Sequence, residues 1–326
     1  MATYKGIHGY SVQKLASDPT ASEADGQLWY SSGTGKFKLG TAAAGAWASS
    51  DAINTARRSM AGTGTTTAAV IAGGIGGTTA SETYNGSSWT TSPGSLNTGR
   101  QYLKGDGSST AAIVFGGVTP VTGATETFNG STWTSVNSLN QARQKIGNST
   151  LGSTTASLCF GGSTAPETTS YDLTESWDGT CWSVENVLNQ ERAGIGGAGT
   201  STAALAIAGY GPGQSPHYSL VEVWDGTSWS EINNVLTGGG EFGSAGTTTS
   251  ALIYGGQRPS AGKLTEKYDG TSWTEVADLA VNNQGCASSG VSGSSALRIS
   301  GYVPPNVTTV DEWADPVYAI KTVTVS

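Results

Sequence analysis

The sequence predicts an all-β fold, a β-propeller of six four-stranded blades. Three observations predict it: landmarks that recur with a period of about 45 residues, turn signals inside each period, and enough aromatic residues to build a core. Trp89, Trp133, Trp182, Trp229 and Trp273 each follow an Asn-Gly or Asp-Gly pair, at spacings of 44, 49, 47 and 44. A Gly pair closes an apolar run at Gly73-Gly74, Gly116-Gly117, Gly161-Gly162 and Gly255-Gly256, and the landmark reads as Gly-Tyr at Gly209-Tyr210 and Gly301-Tyr302. An acid stands two residues before an aromatic six times: Glu82/Tyr84, Glu126/Phe128, Glu175/Trp177, Glu222/Trp224, Glu266/Tyr268 and Asp311/Trp313.

Each unit reads as four short strands. The first follows Leu-Asn-x-x-Arg, as in Leu139-Asn140-Gln141-Ala142-Arg143. The second is the apolar run before Gly-Gly, such as Ala251-Leu252-Ile253-Tyr254, the third carries the acid and the aromatic, and the fourth begins at the Trp. Asn-Gly or Asp-Gly between the third and fourth favours a tight primed turn. Arg57, Arg100, Arg143 and Arg192 repeat with the Leu-Asn motif, while Gly240 and Asn283 stand at that place in the fifth and sixth units. Equivalence by repeat assigns these arginines and the repeated acids to structure, each acid holding a backbone N–H or its unit's Arg.

The sixth unit lacks a Trp on its fourth strand. Gly45-Ala46-Trp47-Ala48-Ser49, leading into Ile53-Asn54-Thr55-Ala56-Arg57, reads as the end of one unit running into the next. Trp47 is therefore expected on the fourth strand of the sixth blade, which removes the two open sheet edges of an unclosed ring. Six aromatic pairs complete the blade cores: Tyr84/Trp89, Phe128/Trp133, Trp177/Trp182, Trp224/Trp229, Tyr268/Trp273 and Trp313/Trp47. The domain boundaries that follow are 1–40 for an N-terminal docking segment, 41–316 for the propeller and 317–326 for a C-terminal strand.

Apolar run, Gly-Gly, spaced aromatic and Trp, in that order and period, resemble the kelch repeat over residues 46 to 316. The resemblance implies a propeller, a fold that also hosts a copper radical oxidase, galactose oxidase. That copper site needs two His and a Tyr linked to a Cys. This chain has only His8 and His217, and His8 lies outside the ring, so the ligand count fails. The sialidase Asp-box is also approached, but its Ser-x-Asp-x-Gly spacing is absent.

Outside the repeat, Gln27-Leu28-Trp29-Tyr30 and Gly35-Lys36-Phe37-Lys38-Leu39 read as a hairpin around a Ser/Gly turn. Val317 to Ser326 reads as one more strand, pairing with that hairpin or with a neighbouring subunit. Both segments alternate apolar and polar, and one or two strands cannot bury such a face alone. Leu28, Trp29, Tyr30, Phe37, Leu39, Ile320 and Val323 are therefore the candidate assembly residues. The hairpin segment, with Tyr4-Lys5-Gly6-Ile7 and Leu15-Ala16-Ser17-Asp18-Pro19, is similar to N-terminal segments of tailed-phage structural proteins, notably of marine phages. That resemblance implies a virion protein whose N-terminus docks to the particle.

Composition excludes several classes. Net charge is −8, only 12% of residues are charged, and Lys and Arg do not cluster, so neither nucleic acid nor an anionic membrane surface is an expected partner. No apolar run reaches spanning length, and Met-Ala-Thr-Tyr-Lys-Gly has no signal-peptide character. Cys159, Cys181 and Cys286 show no metal spacing, and no cofactor is implied. A hydrolase would need His217 as base in a Gly/Pro-rich loop, or two particular acids facing one cleft.

What varies among the units is the loop between second and third strands, where repeat proteins often bind. Tyr210, His217, Tyr218, Arg258 and Tyr302 are the candidate ligand residues there. The expected function is a non-enzymatic virion structural or adhesion protein of a phage tail, fibre or particle surface. Its partners would be other virion subunits or copies of itself, with a host surface glycan or protein as ligand. The alternative is a cellular or secreted lectin-like kelch module, followed by a glycan-active hydrolase.

Overall fold

A computed structural model of the chain describes residues 12–20, 23–259 and 262–323. These residues form 28 strands and one 3-10 turn, Pro212–Gln214. The fold is all-β, and its strands make seven four-stranded sheets, consistent with a β-propeller. Two compact units result: Trp47–Ala314, and Met1–Ala46 with Asp315–Ser326.

Six sheets follow the repeat. In the second, Lys104–Gly107, Ala112–Phe115, Thr125–Phe128 and Trp133–Val136 pair antiparallel in sequence order. The second strands are buried on both faces. Ala112 and Val114 pack on Val70 and Ala72 of the first repeat, whereas Ile113 and Phe115 pack on Ile146 and Cys159 of the third. Alternation along a strand thus serves two neighbouring sheets at once. The first strands touch one another in cyclic order, from Ala61–Gly64 through Lys104–Gly107, Gly147–Asn148, Gly196–Thr200, Gly243–Thr247 and Ala287–Ser292 back to Ala61–Gly64.

The closing strand sits where the sequence placed it: Ala46–Ser50 is the outermost strand beside Asn306–Ala314. Trp47 lies 5.6 Å from Trp313, and the other five aromatic pairs meet at 4.8–5.5 Å. Five of the six indoles donate back to the preceding repeat. The Nε1–H of Trp133, Trp182, Trp229 and Trp47 donates to Ser81, Thr125, Thr174 and Thr265, the residue before the acid on the preceding third strand. Val221 and Val310 occupy that place in the fourth and sixth repeats. Trp273 accordingly turns to the Asn233 carbonyl, and the buried Trp89 Nε1–H has no acceptor among the described residues.

Three sequence expectations are corrected. The Gly-Tyr landmarks are one residue out of register: the backbone places Ala208-Gly209 (φ 55° and 110°) and Ser300-Gly301 (φ 56° and 117°) where Gly73-Gly74 has 74° and 128°. Left-handed backbone, not glycine itself, defines the position. Glycine dominates because a Cβ at Gly116 would lie 2.8 Å from the Arg143 carbonyl. The Asn/Asp-Gly turns are four-residue loops closed by the side chain, as where Asn85 Oδ1 accepts the N–H groups of Ser87 and Ser88. Finally, sheets number seven, because the terminal segments build one of their own.

That seventh sheet belongs to the smaller unit. The hairpin forms with Leu28 opposite Leu39 and Tyr30 opposite Phe37. Val317–Thr322 pairs antiparallel with Lys36–Ala43, and Gln13–Leu15 adds in parallel to Leu28–Ser31. One face is covered: Trp29 is 2% exposed, with its Nε1–H on Asp18 Oδ1 at 3.0 Å. Trp29 is thus a core residue of this unit rather than a contact for another subunit, and the register puts Ile320 on the same face. Leu28, Phe37 and Val323 are exposed, and Tyr30 and Leu39 are half-buried on that outer face. Tyr4, Ile7, His8 and Val325 lie outside the described residues.

Candidate functional site

Loops that join second to third strands and fourth strands to the next repeat emerge on one face of the larger unit. An acid–arginine brace organises that face. Arg57, Arg100 and Arg192 meet Glu82, Glu126 and Glu222 at 2.5 Å, and Arg143 meets Glu175, all of them buried. The second carboxylate oxygen accepts the backbone N–H of the Leu-Asn motif at Asn54, Asn97, Asn140 and Asn189. Each acid thereby pins the segment that enters its sheet.

The fifth and sixth repeats obtain their arginines elsewhere. Backbone equivalence puts Gly239, one residue before the expected Gly240, at the fifth position. A Cβ there would strike Arg258 Cγ at 2.8 Å. Arg258 enters from the loop after the second strand, meets Glu266 at 2.6 Å and lies over the Phe242 ring at 4.7 Å. Arg298, on the second strand of the sixth repeat, meets Asp311 at 2.5 Å. Asp311 is one methylene shorter than glutamate and is spent on Arg298. Among the described residues, no carboxylate accepts from the backbone of Ala280, Val281 or Asn282, the segment that Glu82 or Glu126 would pin elsewhere.

A cleft of about 720 Å³ opens at this junction. It is lined by Gly256–Arg258, Gly262 and Lys263 of the fifth repeat and by residues 280–284 and Tyr302–Pro304 of the sixth. Ala280, Val281 and Asn282 are exposed. The side chains of Gln257, Asn282, Gln284 and Tyr302 make no hydrogen bond among the described residues, and the Arg58 guanidinium stacks on the Tyr302 ring at 4.1 Å. Amide donors and acceptors beside a held aromatic face suit a polyhydroxylated ligand.

At the axis, Ser59, Tyr102, Lys145, Gly194, Glu241 and Gly285 all have left-handed backbone, with φ from 53° to 67°. Each donates its N–H to the carbonyl of the preceding member, at 2.6–3.2 Å, and Ser59 closes the circle onto Gly285. Within it, Lys145 Nζ lies 2.6 Å from Glu241 and 2.8 Å from Glu167, and Tyr210 donates to Glu241 at 2.9 Å. Burial disfavours the Lys145 ammonium, but the two carboxylates outweigh it and hold its proton above the ordinary lysine range. Burial, with Glu241 and Glu167 beside it, pushes the Tyr210 phenol far up.

The five predicted ligand residues therefore divide. Tyr302 and Arg258 reach the cleft, but Arg258 is 8% exposed and braced by Glu266, so it is a structural cation. Tyr210 is 1% exposed and faces the axial ion cluster, which removes it from any ligand surface. His217 and Tyr218 are half-buried in the fourth repeat, with His217 6.1 Å from the Tyr210 ring. Gln257 belongs to the variable loop Gln257-Arg258-Pro259-Ser260, whereas for Asn282 and Gln284 the sequence signal is the broken Leu-Asn-x-x-Arg motif beside them.

Three comparisons bear on the fold. No known family profile matches the chain, and no curated protein does. A solved structure titled "Structure of YjhT" is similar, with a TM-score of 0.64 at 14% identity over 82% of this chain and 99% of that one. At that identity the likeness carries the propeller fold alone.

Proposed function

We propose that this chain is a non-enzymatic binding protein of a virus particle, a six-bladed kelch-like propeller that takes a host-surface glycan in the cleft between its fifth and sixth repeats. On this reading the seventh sheet lies outside the ring count and serves assembly, with other virion subunits or copies of itself as partners. The observation that carries the binding role is where the cleft lies. It opens beside Ala280–Asn282, a segment that no carboxylate pins among the described residues, and it is lined by Gln257, Asn282, Gln284 and Tyr302, whose side chains make no hydrogen bond among the described residues.

The non-enzymatic reading is supported by how the acids are used. Each repeated carboxylate is committed to a buried arginine. Glu167 and Glu241 are both paired with Lys145. The particle assignment rests on the resemblance of the N-terminal segment to tailed-phage structural proteins and on the outer apolar face of Leu28, Phe37 and Val323. Density-gradient fractionation of infected-cell lysate, probed with antibody to the full chain, tests it. The protein is expected to sediment with intact particles. A protein confined to the soluble fraction would overturn the particle role and leave the cleft to a free lectin-like module.

A further inference from the structure

Charge sets the lining of the cleft between the fifth and sixth repeats apart from the rest of the chain. The chain holds 24 acids against 16 lysines and arginines, yet Arg258 and Lys263 line the cleft and no aspartate or glutamate does. The sequence carries the same gap, since residues 255–263, 279–290 and 300–308 contain no acid. Arg258 is spent on Glu266. Lys263 is far less committed. Its side chain is 46% exposed, and its one ion pair among the described residues, to Asp278, is 3.6 Å long, past hydrogen-bonding reach. A third cation stands against Tyr302, where the Arg58 guanidinium lies over the ring at 4.1 Å. That guanidinium makes no hydrogen bond or ion pair among the described residues, so the stack alone holds it.

We infer that the glycan this cleft takes is acidic, carrying a carboxylate or sulfate group that Lys263 meets, with Arg58 adding charge beside the Tyr302 ring. The inference rests on the cleft being the glycan site. A neutral sugar is satisfied by the amides of Gln257, Asn282 and Gln284 and gives the ammonium and the guanidinium no partner. A ligand with an anionic group uses both kinds of donor. Most of the surface of a chain with net charge −8 repels such a ligand, and the acid-free lining lifts that repulsion at one place. Lys263 offers three donors on a flexible stem, and Arg58 a planar fork held in position. Carboxylate and sulfate share this chemistry.

An array of glycans in matched sets, each core chain present in neutral, carboxylated and sulfated form, tests the assignment when probed with the full chain. Binding is expected to the acidic members and not to the neutral one, and the member that binds identifies the anion. For that glycan, Lys263→Met is expected to weaken binding about fivefold, and Lys263→Arg to retain it. Asp278→Asn keeps an acceptor for the Thr265 N–H and releases Lys263 from its acid, so it is expected to tighten binding. A lysine with a structural role alone would not give that gain. Equal binding of neutral and acidic members, or acidic binding that neither substitution moves, would overturn the acidic ligand and leave the glycan site standing. No binding to any member would overturn both.

Discussion

Arg258 meets Glu266 at 2.6 Å from the loop after its repeat's second strand, whereas Arg143 meets Glu175 from the segment before its repeat's first strand. Two routes in the chain deliver one guanidinium to one place. Conservation of the brace across different sequence positions indicates that the buried pair, and not the motif around it, is what each sheet requires.

Arg258→Met should therefore cost as much as Arg143→Met, about 3–5 kcal/mol each, because either leaves a buried carboxylate alone. Urea denaturation of the two variants measures this. Adding Glu266→Gln to Arg258→Met should restore part of the loss, since the stranded charge goes with it.

Trp89 offers the opposite experiment. Its indole N–H lacks the acceptor that Ser81 gives Trp133, because Val310 stands at the equivalent place. Val310→Thr should stabilise the protein by about 1 kcal/mol, the net worth of one hydrogen bond to a buried donor. A thermal midpoint below the wild type's would show that the hydroxyl is misdirected.

The turn aspartates set an acid response. Backbone N–H groups two and three residues on hold the carboxyls of Asp178, Asp225 and Asp269 below the ordinary aspartate range. A folded-state value below the unfolded one means that their contribution is complete above the unfolded value, near pH 4, and is lost as pH falls through the folded value. The triple variant with Asn at all three positions should lose less stability on acidification below about pH 4 than the wild type. Asn85 and Asn129 already fill this role in the first two repeats, accepting the same pair of N–H groups.

Cysteine accessibility tests the packing between repeats. Burial pushes the Cys159 thiol up to about 12, and Cys286 is raised by burial too, while Cys181 is exposed beside Asp178. A thiol reagent at pH 8 should label one cysteine in the native protein and all three after denaturation. Fast labelling of Cys159 in the native state would contradict the close packing of the second and third repeats.

The aromatic pairs and the closing strand could be read from the sequence because each landmark is a residue type with a single use. A Trp after Asn-Gly or Asp-Gly marks five fourth strands, and Trp47, which lacks that turn, is marked by the Ile53-Asn54-Thr55-Ala56-Arg57 motif that follows it, far from its partner Trp313. Residue type fails where the structure selects backbone. The axial circle uses Ser59, Tyr102, Lys145, Gly194, Glu241 and Gly285, which share a left-handed φ and nothing chemical. Ala208 and Ser300 escaped the Gly-Gly pattern for the same reason. Arg258 looked like a loop residue because its carboxylate is eight positions on, and only the gap above Gly239 shows why it turns inward. The sequence marks Arg258 and Tyr302 at the cleft but not Asn282 and Gln284, since its lining comes from three separate segments of the chain.

Ligand binding at that cleft is tested most directly by titrating a glycan selected on a microarray against the full chain and against Tyr302→Ala/Gln284→Ala. Both residues are half-buried and neither side chain makes a hydrogen bond among the described residues, so the variant's melting midpoint is measured beside the wild type's to separate lost binding from the lost Arg58–Tyr302 stack. The account predicts that affinity falls at least tenfold in this variant, about 1.4 kcal/mol, while Tyr218→Ala, in the fourth repeat, binds as the wild type does. Unchanged affinity in the cleft variant, with loss in Tyr218→Ala, would contradict it.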